Sequence, residues 1–346
     1  MLRWNLVVSL GLLALGCQAP EGPDQRVGEQ GQTTPISTDG GAAGDAGGSG
    51  GSLQGARDGG TGGATGGDAS GSGGATPATW QEHWFEHVQL LKKAAETDDV
   101  AIYFDNDVNP MATTWIQPLL TSLWKYTKQT YGMVGDGRLY GVFHTGRYDG
   151  EHSASIFDPT HDNRSVIDLG GNDPMLWATP TRTQSIAYSI GRIVELSPLG
   201  FDTLPSTELT TQQFGYFFAY DALKAAGMSQ DADAWLGTLM TYSVDHPRTG
   251  TFWSRDWYYP LWQSYGGAAV FARFIRLCAD RYPKVPRPDG NGQVFAPAMN
   301  WGEYIHFMSG AAAADLKVIA TKAFGWPDTR ETEFQQAKRD FPMIKY

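Results

Sequence analysis

One stretch of this chain concentrates side chains that can do chemistry. Between residues 144 and 162 the sequence HTGRYDGEHSASIFDPTHD carries His144, Asp149, Glu151, His152, His161 and Asp162. Imidazole and carboxylate together suit a borderline divalent ion, but the spacings match no standard ligand set. The plainer reading is a polar loop whose carboxylates and imidazoles cap turns. If residues 183–197 form the helix of a cleft, His144, His152, His161 and Asp162 come before it and are expected to line its rim. Elsewhere, Glu303 and His306 form a single Glu-x-x-His. The di-iron signature needs two such pairs on facing helices, so His306 is expected as a satisfied helix histidine. Glu195, Asp221, Asp256 and Glu303 are the acids to test for a glycosidase-like pair, which would need a separation of about 5–9.5 Å. No Gly-x-Ser-x-Gly elbow is present. Cys278 lies in an apolar helical run and reads as a buried small hydrophobe.

The elements that must position these groups follow from periodicity. Trp84, Val88, Leu91 and Ala95 recur at helical spacing, which predicts a first helix. Short β-branched or aromatic runs at Val100–Phe104, Leu139–Phe143 and Ser165–Leu169 predict strands, with a helix around residues 115–132 between the first two. After residue 181 the chain reads as helices at 182–196, 210–226, 229–244, 267–282, 302–323 and 329–340. The aromatic segment FWSRDWYYPLWQSY (residues 252–265) reads as a bulky packing hinge, with Arg255 and Asp256 as a structural ion pair. Strands with helices first and helices afterwards predict an α+β fold, a small N-terminal sheet followed by a mostly helical C-terminal lobe.

The segment TQSIAYSIGRIVELS (residues 183–197) is the most specific element. Tyr188, Arg192 and Glu195 fall at i, i+4 and i+7 and share one helix face. In a zinc metallopeptidase helix, histidines at the first two of these positions bind the metal and a glutamate beside the first acts as base. Here those positions hold Tyr188, Arg192 and Ser189. A guanidinium is permanently charged and repels a cation, and a serine cannot serve as a carboxylate base. From about Trp80 to the C-terminus, through HWFEHVQLLKKAAETDDVAIYFD, YGVFHTGRYDG, THDNRSVIDLGG, YSIGRIVE, WSRDWYYPLWQSYGG, NWGEYIHFMSGAA and AFGW, the chain resembles a family of secreted bacterial proteins with a zincin-like domain. In that family the segment matching YSIGRIVE reads His-Glu-x-Gly-His-Ile-Val-Glu, and a further acidic ligand is expected on the next helix, near Tyr216. The resemblance therefore implies a zincin-like scaffold with a degenerate motif at Tyr188, Ser189, Arg192, Glu195 and Tyr216, and with no metal, cofactor or catalytic residue there.

The N-terminus and the charge bound the setting. Of 346 residues, the first stretch MLRWNLVVSLGLLALGCQAP has a short basic start, an apolar run too short to span a bilayer comfortably, and a small residue before Cys17. That is a signal-peptide layout, and it resembles a bacterial lipobox with Cys17 as the acylated residue. Residues 1–16 are thus expected to be a lipoprotein signal peptide. Residues 17–79, rich in Gly, Ser, Ala and Asp, are expected to be a disordered tether, and residues 80–346 the globular domain. Gln18 after the cysteine points to the outer membrane. A net charge of −11 argues against nucleic acid as a partner and leaves the lipid as the membrane tie. The expected function is a surface-anchored pseudoenzyme that binds peptide or glycan. The alternative is an active secreted hydrolase, metal-dependent or carboxylate-based, using other residues.

Overall fold

The computed structural model describes residues 76–132, 134–180, 182–205 and 212–346, which lie in one compact unit. The predicted signal peptide, Cys17 and nearly all of the predicted tether lie outside the described residues. The tether's last residues do not. The Thr76 amide bonds Glu96 at 3.0 Å, and Thr79–Gln81 is already the first strand.

The fold is α+β. Its sheet is built from β1 (Thr79–Gln81), β2 (Leu90–Glu96), β3 (Val100–Phe104), β4 (Leu139–Phe143), β5 (Arg147–Ala154) and β6 (Ser165–Gly171), in the order β1-β2-β3-β4-β6-β5. Strands β3, β4 and β6 run parallel, whereas β2 and β5 pair antiparallel with their neighbours. The parallel strands are buried throughout, as expected where both faces of a parallel sheet are covered.

The two faces are different. Val100, Ile102, Phe104, Phe143, Ile167 and Leu169 join the large helical core. Their alternates Ala101, Tyr103, Tyr140, Val142 and Val166 pack with Trp80, Trp84 and Leu91 in a smaller second core. Helix α1 (Thr113–Tyr131) connects β3 to β4 and buries Ile116, Leu120, Leu123 and Trp124. It can lie close because Gly141 has no side chain: a Cβ there would stand 2.9 Å from Leu120 Cδ1. Helix α2 (Thr183–Leu196) follows β6 and crosses α3 (Gln213–Ala225) where Gly191 meets Gly215. A Cβ on Gly191 would come within 3.0 Å of the Gly215 Cα. The remainder is α4 (Ser229–Thr241), a π-helical turn Ser254–Tyr258 running into α5 (Tyr259–Ser264), α6 (Ala269–Arg281), a small hairpin β7 (Lys284–Pro286) and β8 (Gln293–Phe295), α7 (Trp301–Ala312), α8 (Lys317–Phe324) and α9 (Asp328–Asp340).

Three expectations are corrected. The predicted first helix is instead β1, a connecting segment and β2; Val88 is 65% exposed, so the helical spacing marks no buried face. The polar stretch 147–154 is the edge strand β5 rather than a loop. The predicted helix 302–323 is two helices, interrupted where Ala313 takes a left-handed conformation.

Candidate functional site

Tyr188, Ser189, Arg192, Glu195 and Tyr216 sit where α2 crosses α3, on the helical face of the sheet. The glycine contact brings Tyr188, Arg192, Glu195 and Tyr216 together. The rings of Tyr188 and Tyr216 stack with centroids 4.6 Å apart. Arg192 Nη1 donates to Glu195 Oε2, and Glu195 is fully buried. Burial pushes the Glu195 carboxyl up to about 7, against the downward pull of Arg192. Burial also holds the Tyr188 phenol far above its ordinary value and that of Tyr216 up to about 12. Both are therefore neutral and poor metal ligands. Ser189 is completely buried, and its carbonyl accepts the Ser153 hydroxyl of β5 at 3.0 Å. The crossing is filled by a cation, its counter-ion and two stacked rings, and among the described residues these leave no ligand set for a divalent ion.

The remaining acids are engaged singly. Asp221 accepts from Tyr126 and, at 2.6 Å, from Trp262 Nε1. Asp256 pairs with Arg255 at 2.7 Å. Glu303 closes the capping box of α7 with Asn300, and His306 bonds Tyr346 and the Phe341 carbonyl. Cys278 is buried, and desolvation raises its thiol well above the ordinary value. Asp221 lies in a surface groove of about 820 Å³ lined also by Tyr126, Lys224, Trp262, Arg273 and Arg276. That volume is within the usual range for ligand sites.

The histidine-rich stretch goes elsewhere. Asp168 alternates with Ile167 and Leu169, so it points to the face of the sheet opposite α2. His144 follows β4 and Asp105 follows β3, at the carboxyl ends of parallel strands, where open sheets usually bind ligands. The segment joining β1 to β2 covers this end with Glu82, Trp84 and His87. His144 Nδ1 lies 3.0 Å from Asp105 Oδ2, and its Nε2 lies 2.9 Å from Glu82 Oε1 and 3.2 Å from Asp168 Oδ1. His87 Nδ1 lies 3.0 Å from Asp168 Oδ2, and its ring stacks on Tyr148 at 3.7 Å. Burial lowers His144, but Asp105, Asp168 and Glu82 outweigh it and raise the imidazole to about 11. His87 rises to about 9 in the same way, against burial and through Asp168 and Glu82. Glu82 and Asp168 are held below the usual carboxylate range by these imidazoles, although burial opposes the shift.

A second group adjoins it. His161 Nδ1 lies 3.0 Å from Asp158 Oδ2, the rings of His152 and His161 stack at 5.0 Å, and Trp84 stacks on His161 at 4.4 Å. Burial lowers His152 to about 4, so this imidazole is neutral. Of the four residues expected at a cleft rim, His144 and His161 are thus wholly buried, His152 is half-buried, and Asp162 is exposed, accepting from Trp80 Nε1 at 2.7 Å. Glu82, His87 and Asp168 were not singled out by sequence, because they join His144 only through strand pairing.

No protein-family model, no curated protein and no solved structure matches the chain.

Proposed function

We propose that this chain is an exported, lipid-anchored binding protein whose folded domain is a zincin-like scaffold without peptidase activity. Cys17 would carry the lipid at the bacterial cell envelope, in the outer membrane, and the Gly/Ser-rich segment would space the domain from it. The observation that supports the reading best is the closed α2–α3 crossing, with the Arg192–Glu195 pair and the Tyr188–Tyr216 stack where a catalytic ion would sit. Hydrolysis by that route needs a metal to polarise water and a carboxylate to take its proton, and neither role is open to these side chains. The binding role rests on the groove beside α3. Its aromatic edge, Trp262 and Tyr126, can stack on a sugar ring or a peptide side chain, while Lys224 and Arg276 supply positive charge in an otherwise acidic protein.

Two experiments test this. The full chain should not turn over casein or peptidoglycan with zinc added, and turnover abolished by a chelator would overturn the reading. Peptide and oligosaccharide titrations should give a saturable fluorescence change that Trp262→Ala removes while the far-ultraviolet circular dichroism is unchanged. The scaffold claim has its own check: Tyr188→His/Arg192→His/Tyr216→Glu should give the crossing a zinc ion that the parent does not hold there. Failure of a folded triple variant to gain zinc would count against a zincin-like layout.

A further inference from the structure

We infer that the carboxyl end of the sheet, on the face away from α2, is a divalent-metal site formed by Glu82, His87, His144 and Asp168, taking a borderline ion of the zinc class. This inference does not depend on the reading of the α2–α3 crossing.

The four side chains offer ligand atoms that all lie within 4.8 Å of one another. The inward atoms are Glu82 Oε1, His87 Nδ1, His144 Nε2 and Asp168 Oδ1. All are buried, and none is aligned for a hydrogen bond, although they approach to 2.9 Å (His144–Glu82), 3.2 Å (His144–Asp168) and 3.6 Å (His87–Glu82). Four ligands at roughly 2.0–2.2 Å from a tetrahedral ion would stand about 3.3–3.6 Å apart, close to these separations.

The outward oxygens of Glu82 and Asp168 and the outward nitrogen of His144, by contrast, have partners, and Asp168 Oδ2 also lies 3.0 Å from His87 Nδ1. Gln89 donates its amide to Glu82 Oε2 at 2.9 Å, and Trp84 donates Nε1–H to Asp168 Oδ2 at 2.8 Å. His144 Nδ1–H donates to Asp105 Oδ2 at 3.0 Å. A carboxylate behind an imidazole orients the ring and leaves its other nitrogen as the ligand, an arrangement usual at metal sites. Arg147 in turn braces Asp105 at 3.3 Å.

Charge points the same way. Glu82, Asp105 and Asp168 are buried carboxylates, and among the described residues Arg147, which also pairs with the exposed Asp107, is the permanent cation that touches them. Buried charges must be compensated. The cluster therefore needs two further positive charges, supplied either by two imidazolium protons or by one divalent ion. Two nitrogens and two carboxylate oxygens form a donor set that zinc accepts. Four protein ligands fill a tetrahedron, so the ion would act structurally, clamping the β1–β2 segment to the ends of β4 and β6.

The test is equilibrium dialysis of the chelator-stripped full chain against zinc chloride at pH 7.5, read by elemental analysis and by the thermal midpoint. The expected result is one zinc per chain and a midpoint raised by zinc. His87→Gln, at a half-buried position, should abolish both effects. Asp105→Asn keeps all four ligands and should weaken zinc roughly 10–100-fold. His152→Gln, in the neighbouring group, should change neither readout. X-ray absorption at the zinc edge should show nitrogen and oxygen ligands without sulfur. Absence of stoichiometric zinc and of any midpoint shift would overturn the proposal in favour of a proton-charged ion network. Stoichiometric zinc that survives His87→Gln would overturn it as well.

Discussion

Glu195→Leu should lower the stability of the domain by about 3 kcal/mol at pH 7, the range for breaking a buried ion pair from one side. The cause is asymmetry between the partners. The Glu195 carboxyl is fully buried and can escape its charge by taking a proton, whereas the Arg192 guanidinium cannot give one up. Leucine at 195 leaves the Arg192 guanidinium, still a cation against the Tyr188–Tyr216 stack, without its Glu195 partner. Arg192→Leu/Glu195→Leu removes both charges and should recover most of the loss, because apolar replacement of a whole buried pair is often neutral. Urea denaturation of the two variants checks this, and equal destabilisation in both would show that the pair is not what the crossing depends on.

The same carboxyl predicts a pH dependence. Its folded value, about 7, lies above the ordinary 4.5. The folded state therefore binds this proton more tightly than the unfolded state, and its contribution is fully present below about pH 4.5. That contribution falls as pH rises through 7. At 1.36 kcal/mol per unit the span is at most about 3.4 kcal/mol. The decline between pH 4.5 and 7 should be shallower in the double variant than in the parent.

Trp84→Ala should cost about 3–5 kcal/mol, as for other large buried aromatic truncations. Trp84 is 1% exposed, packs on Trp80 at 5.2 Å, stacks on His161 at 4.4 Å and donates to Asp168. Truncation opens a cavity in the smaller core and strips Asp168 of its outer partner. Trp84→Phe keeps most of the volume and loses only the hydrogen bond to a charged acceptor, which should cost about 1.5–3 kcal/mol. Denaturation midpoints of the two variants separate the packing and polar contributions. If Trp84→Phe were as damaging as Trp84→Ala, the hydrogen bond would dominate.

Trp84 also shows where sequence reading stops. Val100–Phe104 and Leu139–Phe143 were legible to the residue, because strands buried on both faces are short apolar runs bounded by turn residues. Helices α2, α3, α4, α6 and α9 were legible to within a few residues from their apolar stripes, whereas 302–323 was read as one helix where the chain makes two, and the helical residues 254–264 were read as a hinge. Residues 84–95 were misread because four apolar side chains happened to fall at helical spacing. Leu91 is in fact buried through its pairing opposite Trp80, which is a tertiary fact. Strand β5 was hidden by its polarity, since its carboxylate and imidazole groups read as loop. Tyr188, Ser189, Arg192, Glu195 and Tyr216 could be placed together from sequence because they lie on one helix and the start of the next. The histidine–carboxylate cluster was not, because Asp168 and Trp84 stand 84 positions apart and meet only once the sheet is formed.

An anomalous-difference map from crystals of the chain grown with zinc, recorded on both sides of the zinc edge, tests the central claim most directly. No peak is expected at the α2–α3 crossing, where the Arg192–Glu195 pair and the tyrosine stack stay intact, and a peak is expected within Glu82, His87, His144 and Asp168. A zinc peak between Tyr188, Arg192 and Tyr216, with the ion pair opened to admit it, would contradict the claim.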